Sequence, residues 1–156
     1  MFDFTRLYKT TQQYFIYVNI EVKNRGAAFM KLLHTMIRVK DIEKSLAFYT
    51  KLFDMEIAEK RRLDDCWLYF LTDKESGQQI ELTFNDNTPE NGYETGSGFG
   101  HFAFGVESMN EFTKKLNSLG YSYLYEPFDL TGKGSLIAFI KDPDGYEIEI
   151  IEKVCW

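Results

Sequence analysis

From residue 32 onward the chain alternates between two periodicities, and the alternation occurs twice. Leu32–Val39 reads LLHTMIRV, an alternating strand whose successive side chains point to opposite faces. His34, Met36 and Arg38 share one of its faces. Ile42, Leu46, Tyr49 and Phe53 then recur at helical spacing, and Asp41 stands at the N-cap. Strands are predicted at Met55–Ala58, Cys66–Thr72 and Gln79–Asn85, with turns at Asp64-Asp65 and Lys74–Gly77.

The second half repeats the order. His101–Val106 alternates as a strand. Ser108 and Glu111 form a capping box for a helix whose apolar stripe is Met109, Phe112, Leu116 and Leu119, ended by Gly120. Strands follow at Ser122–Tyr125, Leu136–Lys141 and Tyr146–Glu152, the last two joined by the turn Asp142-Pro143-Asp144-Gly145. His34 and Glu81 are 47 residues apart and His101 and Glu149 are 48 apart, so the chemistry repeats with the pattern. The expected fold is α+β: two β-α-β-β-β modules, residues 32–85 and 99–153, joined by a polar linker at 86–98. In such a unit the crossover helix lets the first and last strands lie side by side.

Composition narrows the function. Hydrophobic residues make up 44% of the 156 positions, enough for a packed core. A net charge of −6 with no Lys/Arg cluster argues against a nucleic-acid partner. No apolar run approaches the roughly 18 residues of a membrane span. Cys66 and Cys155 make no disulfide framework and read as free thiols in a reducing cytoplasm. Met1–Phe29 carries four basic residues and two acidic ones, against the acidic remainder. It reads as a dispensable leader outside the fold, with Met30 the expected start of a domain at 30–153.

His34 and His101 are the only histidines and fall at equivalent places in the two modules. A lone strand histidine is usually structural. Two of them, each matched by a carboxylate on a neighbouring strand, point instead to a borderline divalent cation. Two nitrogens and two carboxylates leave room for water or substrate in an octahedral shell. Glu81 lies between Ile80 and Leu82, where an unpaired carboxylate would be costly; Thr83 and Asn85 share its face. In the last strand Glu147 and Glu149 share a face, and pattern alone leaves both open.

The stretches LLHTMIRVKDIEKSLAFYTKLFDM, IELTFN, GSGFGHFAFGV and IAFIKDPDGYEIEIIE resemble the bacterial glyoxalase I family (lactoylglutathione lyases) of the vicinal oxygen chelate superfamily. The resemblance covers nearly all of residues 30–153. It implies metal ligands at His34, Glu81, His101 and Glu149, the last preferred over Glu147. It also implies a homodimer in which each metal takes His34 and Glu81 from one chain and His101 and Glu149 from the other. Glu149 would be the catalytic base, with Glu81 its counterpart for the other face of the substrate. Arg38 and Asn85 would contact glutathione, and Lys133 would lie near the peptide carboxylates.

The implied reaction isomerises the hemithioacetal of methylglyoxal and glutathione to S-lactoylglutathione. The histidine first ligand and the short chain resemble the Ni²⁺- or Co²⁺-activated subclass, with Zn²⁺ the alternative. One departure bears on the thiol: Asp86 stands where the family commonly has an aromatic, and an inward carboxylate there would disfavour an anionic thiol. The competing readings are another enzyme of the superfamily, such as a thiol transferase or epimerase, and a metal-free binding module of the same fold.

Overall fold

A computed structural model describes residues 31–132 and 134–152. The leader, Lys133 and Cys155 lie outside the described residues. The elements run β1 (His34–Arg38), α1 (Ile42–Leu52), β2 (Glu56–Arg62), β3 (Cys66–Thr72), β4 (Gln79–Asn85), β5 (His101–Val106), α2 (Met109–Ser118), β6 (Tyr125–Asp129), β7 (Leu136–Lys141) and β8 (Glu147–Glu152). They form two four-stranded sheets ordered β1-β4-β3-β2 and β5-β8-β7-β6, the two expected modules. In each, the first and last strands pair in parallel across the helical crossover, a connection that needs an intervening helix.

The helices start where the capping residues predict. Asp41 accepts from the Lys44 amide, and Ser108 from the Glu111 amide. Gly120 (φ +80°) ends α2 in the left-handed region, its N–H bonding the Asn117 carbonyl, while the Tyr121 N–H bonds that of Leu116. The buried face of α1 is Ile42, Ser45, Phe48, Tyr49 and Leu52, rotated from the predicted Ile42–Leu46–Tyr49–Phe53 stripe. Phe48 drives that rotation. It packs edge-on against Tyr121 of the second module, so the helix is buried from two sides.

Two strands differ from expectation, and both are edges. β2 continues to Arg62 through the charged run Glu59–Arg62, which carries no apolar alternation because it is exposed throughout. β6 begins at Tyr125, where a strand had been expected to end, and includes Pro127. Proline is tolerated on an edge or at a bulge, and the pairing shifts register between Tyr125 and Phe128.

One core serves both halves. Val39, Phe48, Tyr49, Leu71 and Leu82 of the first module join Leu116, Ile140, Ile148 and Ile150 of the second. Phe53 stacks on Phe104 with centroids 3.9 Å apart. The turn between β7 and β8 fastens this junction. Asp142 accepts from the Tyr49 hydroxyl at 2.9 Å, and Asp144 accepts from the Lys40 amide at 2.6 Å and the Ser45 hydroxyl at 3.0 Å.

Burial pushes the Asp142 carboxyl up to about 6 although three donors (Tyr49, Asp144 and Tyr146) favour its ionised form. With the folded value above the ordinary 3.8, the native state holds the proton more tightly than the unfolded chain. The associated stability is therefore full below about pH 4 and is lost as pH rises through about 6. The expected size is on the order of 3 kcal/mol. Chemical denaturation of wild type and Asp142→Asn across pH 4 to 7 checks this: the wild type should lose stability relative to the variant as pH rises, and parallel curves would refute it.

Candidate metal centre

The register of each parallel pair brings imidazole and carboxylate together. His34 pairs with Gln79 and Met36 with Glu81, so His34 and Glu81 sit one alternation apart on the same face. His34 Nε2 lies 2.9 Å from Glu81 Oε2. In the second sheet His101 pairs with Glu147 and Ala103 with Glu149, the same offset. His101 Nε2 lies 3.1 Å from Glu149 Oε2. Of the two glutamates that sequence pattern left open, Glu149 is the one within reach of the histidine.

The strand on the far side of each carboxylate supplies a ring to hold the imidazole. Phe70 faces Glu81 in the ladder and meets His34 edge-on at 5.3 Å; Phe139 faces Glu149 and meets His101 edge-on at 5.6 Å. These two phenylalanines were missed in the sequence. Each sits 11 or 10 residues before its glutamate on a hairpin partner, and that correspondence between modules was the available signal.

Glu81 is buried, only 8% exposed, and its second oxygen accepts from the Thr83 hydroxyl at 2.9 Å. Its histidine is 34% exposed at the side chain, and the second pair is similarly open (His101 42%, Glu149 16%). Each pair thus presents one nitrogen and one carboxylate at an accessible edge, a donor set that fits a borderline divalent cation. Among the described residues no group of three or more His, Cys, Asp or Glu could hold a metal ion. The four candidate ligands therefore form two half-sites in one chain.

The remaining candidates fall around the first half-site. Arg38 is exposed on the His34 face, and its carbonyl accepts from the Tyr146 hydroxyl at 3.2 Å. Asn85 donates from Nδ2 to the Tyr93 hydroxyl at 2.8 Å, which ties its amide to the linker. Asp86 does not reach into the site: Arg62 holds both its oxygens, at 2.8 and 2.6 Å, and keeps its carboxyl below the usual range.

Transverse rows show how the two faces differ. Across the first sheet run Glu59, Phe70, Glu81 and Met36, then Arg61, Leu68, Thr83 and Arg38. The corresponding rows of the second are Tyr125, Phe139, Glu149 and Ala103, then Phe128, Ile137, Ile151 and Gly105. In these rows the first face carries Glu59, Arg61 and Arg38, while the second is apolar apart from Glu149; its charged residues, Lys141 and Glu147, stand in the neighbouring row with His101.

Comparison with known proteins agrees with this architecture. Residues 31–150 match the family model of the Glyoxalase/Bleomycin resistance protein/Dioxygenase superfamily, and the chain belongs to that superfamily. A probable lactoylglutathione lyase of Synechocystis is 42% identical over 127 residues, covering 79% of this chain and 95% of that protein. Lactoylglutathione lyase GLX1 of Arabidopsis thaliana is 34% identical over 79% of this chain, which spans only 44% of the plant protein. Among solved structures, the trypanothione-dependent glyoxalase I of Leishmania major superposes with TM-score 0.65 at 34% identity, covering 80% of this chain and 87% of that one.

Proposed function

We propose that this chain is a lactoylglutathione lyase acting as a homodimer on the hemithioacetal of methylglyoxal and glutathione. The observation that carries the reading is the pair of His–Glu half-sites at identical register in two modules. Two copies related by a twofold axis, the first module of each against the second of the other, would complete two four-ligand sites and leave none half-filled. The kinship with lactoylglutathione lyases matched over 95% and 93% of their own length supports the reaction. No helix among the described residues is long and apolar enough to cross a membrane. We place the catalytic domain at residues 30–153, with the leader dispensable and the enzyme in the cytoplasm.

His34 and Glu81 of one copy, with His101 and Glu149 of the other, would hold a divalent cation, Ni²⁺ or Co²⁺ before Zn²⁺. When bound, it supplies Lewis acidity to the two vicinal oxygens of the substrate. The residues of the chain do the rest. The Glu149 carboxylate takes the proton from the carbon that bears sulfur and returns it to the adjacent carbonyl carbon. Glu81 offers the equivalent base on the opposite face. The hydroxyl proton moves between the two oxygens, so the ketone becomes an alcohol and the thiohemiacetal carbon a thioester, with no external redox partner. Arg38, Asn85 and Lys133 receive the peptide. With Asp86 held by Arg62, the objection to an anionic thiol falls away. The apolar rows of the second sheet would close over the substrate and exclude water.

Three outcomes test this. Glu149→Gln should fold normally and lower turnover by ~10²–10⁴-fold, the range for loss of a general base; a metal-loaded variant with full turnover would remove Glu149 from the mechanism. His34→Ala should lower bound metal as measured by atomic emission on the purified protein, and unchanged stoichiometry would exclude it as a ligand. Apo-protein given a series of divalent ions should form thioester from methylglyoxal and glutathione best with Ni²⁺ or Co²⁺; recovery with Zn²⁺ alone would reverse the metal assignment.

A further inference from the structure

The β2 edge carries a feature that folding does not require. A bulge between Ile57 and Glu59 adds one residue to β2, so Ala58 and Glu59 together oppose Phe70. Beyond it, Glu59 pairs with Phe70 and Arg61 with Leu68, which turns both side chains onto the face that bears His34 and Glu81. Without the extra residue Lys60 would occupy the position opposite Leu68. Lys60 instead stacks over Trp67 and Tyr69 on the other face, 4.3 and 5.0 Å from the ring centroids.

Arg61 bonds Glu59 Oε1 through Nε at 2.9 Å and Nη2 at 2.6 Å. Its guanidinium carbon lies 5.8 Å from the centroid of Phe70, the ring that meets His34 on its other side. One aromatic ring therefore separates a cation from the half-site. Both charged side chains are about half exposed (55% and 49%), and an exposed ion pair contributes little to stability. The corresponding positions of the second module hold Tyr125 and Phe128, so the repeat itself does not call for charge here.

A hemithioacetal reaches its reacting carbons from two directions, the thiol's peptide and the aldehyde's side chain. Arg38 and Asn85 lie along β1 and β4 from the half-site, where the proposed function places the peptide. Glu59 and Arg61 stand on β2, at the opposite edge of the sheet from Arg38, with Arg61 over Phe70 of β3, and that edge is left to the aldehyde. We infer that Arg61 selects 2-oxoaldehydes whose side chain carries an anionic group, a carboxylate or phosphate, with its Nη1 edge, outside the Glu59 pair, presented to that group. This rests on the proposed lyase reading for the peptide's direction. Glu59 holds the guanidinium over Phe70 when no anion is present.

The test compares two aldehydes that differ by one charge, 4-carboxyphenylglyoxal and phenylglyoxal, as their glutathione hemithioacetals. The quantity read is the ratio of their kcat/KM values. Arg61→Gln should lower the ratio about tenfold, the worth of one charged hydrogen bond. Lys60→Gln, on the opposite face of the same strand over Trp67 and Tyr69, should leave it in place. An equal ratio in wild type and Arg61→Gln overturns the inference while leaving the lyase reading intact. Calorimetric titration with S-(4-carboxybenzyl)glutathione and S-benzylglutathione separates the two failures. If turnover is absent but the carboxylated compound binds wild type more tightly than Arg61→Gln, the lyase reading falls and the anion preference stands. If neither compound binds, both fall.

Discussion

The faces that carry the two His–Glu pairs follow from the parallel pairing of the first and last strands of each module. Two strands joined by a tight turn are antiparallel and cannot carry a histidine at the start of one and a glutamate early in the other on adjoining sites. The helical crossover removes that restriction, and the offset of two residues then places His34 against Glu81 and His101 against Glu149. A slip of one residue in either ladder would send the carboxylate into the core. The register is held because the intervening residues Ile80, Leu82, Ile148 and Ile150 are buried on the opposite face. Hydrophobic burial therefore fixes the geometry of the polar pair.

The junction between modules constrains the ligand faces indirectly. Both helices and both apolar sheet faces are consumed by one shared core, so the two ligand-bearing faces are left outside it. The Asp142–Tyr49 and Asp144–Lys40 contacts hold the β7–β8 turn against α1 and the residue before its N-cap, and thereby set where β8 starts. Glu149 follows that turn by a few residues. A buried carboxyl with an elevated pKa is a costly fastening, and its three donors show how the cost is limited.

Much of this was legible in the sequence because burial leaves a periodic trace. The strands β1, β3, β4, β5 and β7 and both helix starts were readable from alternation and caps. What was not readable lies on edges. Glu59–Arg62 has no apolar member, so a strand there is set by pairing to β3 rather than by its own pattern. β6 runs through Pro127, which an edge position permits, rather than ending at Tyr125. In the site, the His–Glu pairs could be foreseen from their spacing, and the choice of Glu149 over Glu147 came from resemblance until the 3.1 Å contact was seen. The rings behind the histidines and the charged β2 rows could not be foreseen, since they depend on cross-strand register and on a bulge that no composition announces.

The inequality of the two faces has a physical consequence for assembly. If the modules were equivalent in surface as they are in topology, first could pair with first and second with second. Pairing two first modules would bury Glu59, Arg61, Glu81 and Arg38 against a copy of the same charged face with no apolar wall between, and taking those charges out of water is costly. Pairing two second modules would bury aromatic against aromatic but leave the charged faces of both chains without a partner wall. In the proposed homodimer the mixed pairing would give each completed site one polar and one apolar wall, suited to a substrate with charged ends and a reacting centre kept from water. Repetition of the module alone would supply the His–Glu pair twice; it is the difference between Arg38 and Gly105, and between Arg61 and Phe128, that makes the two halves unlike.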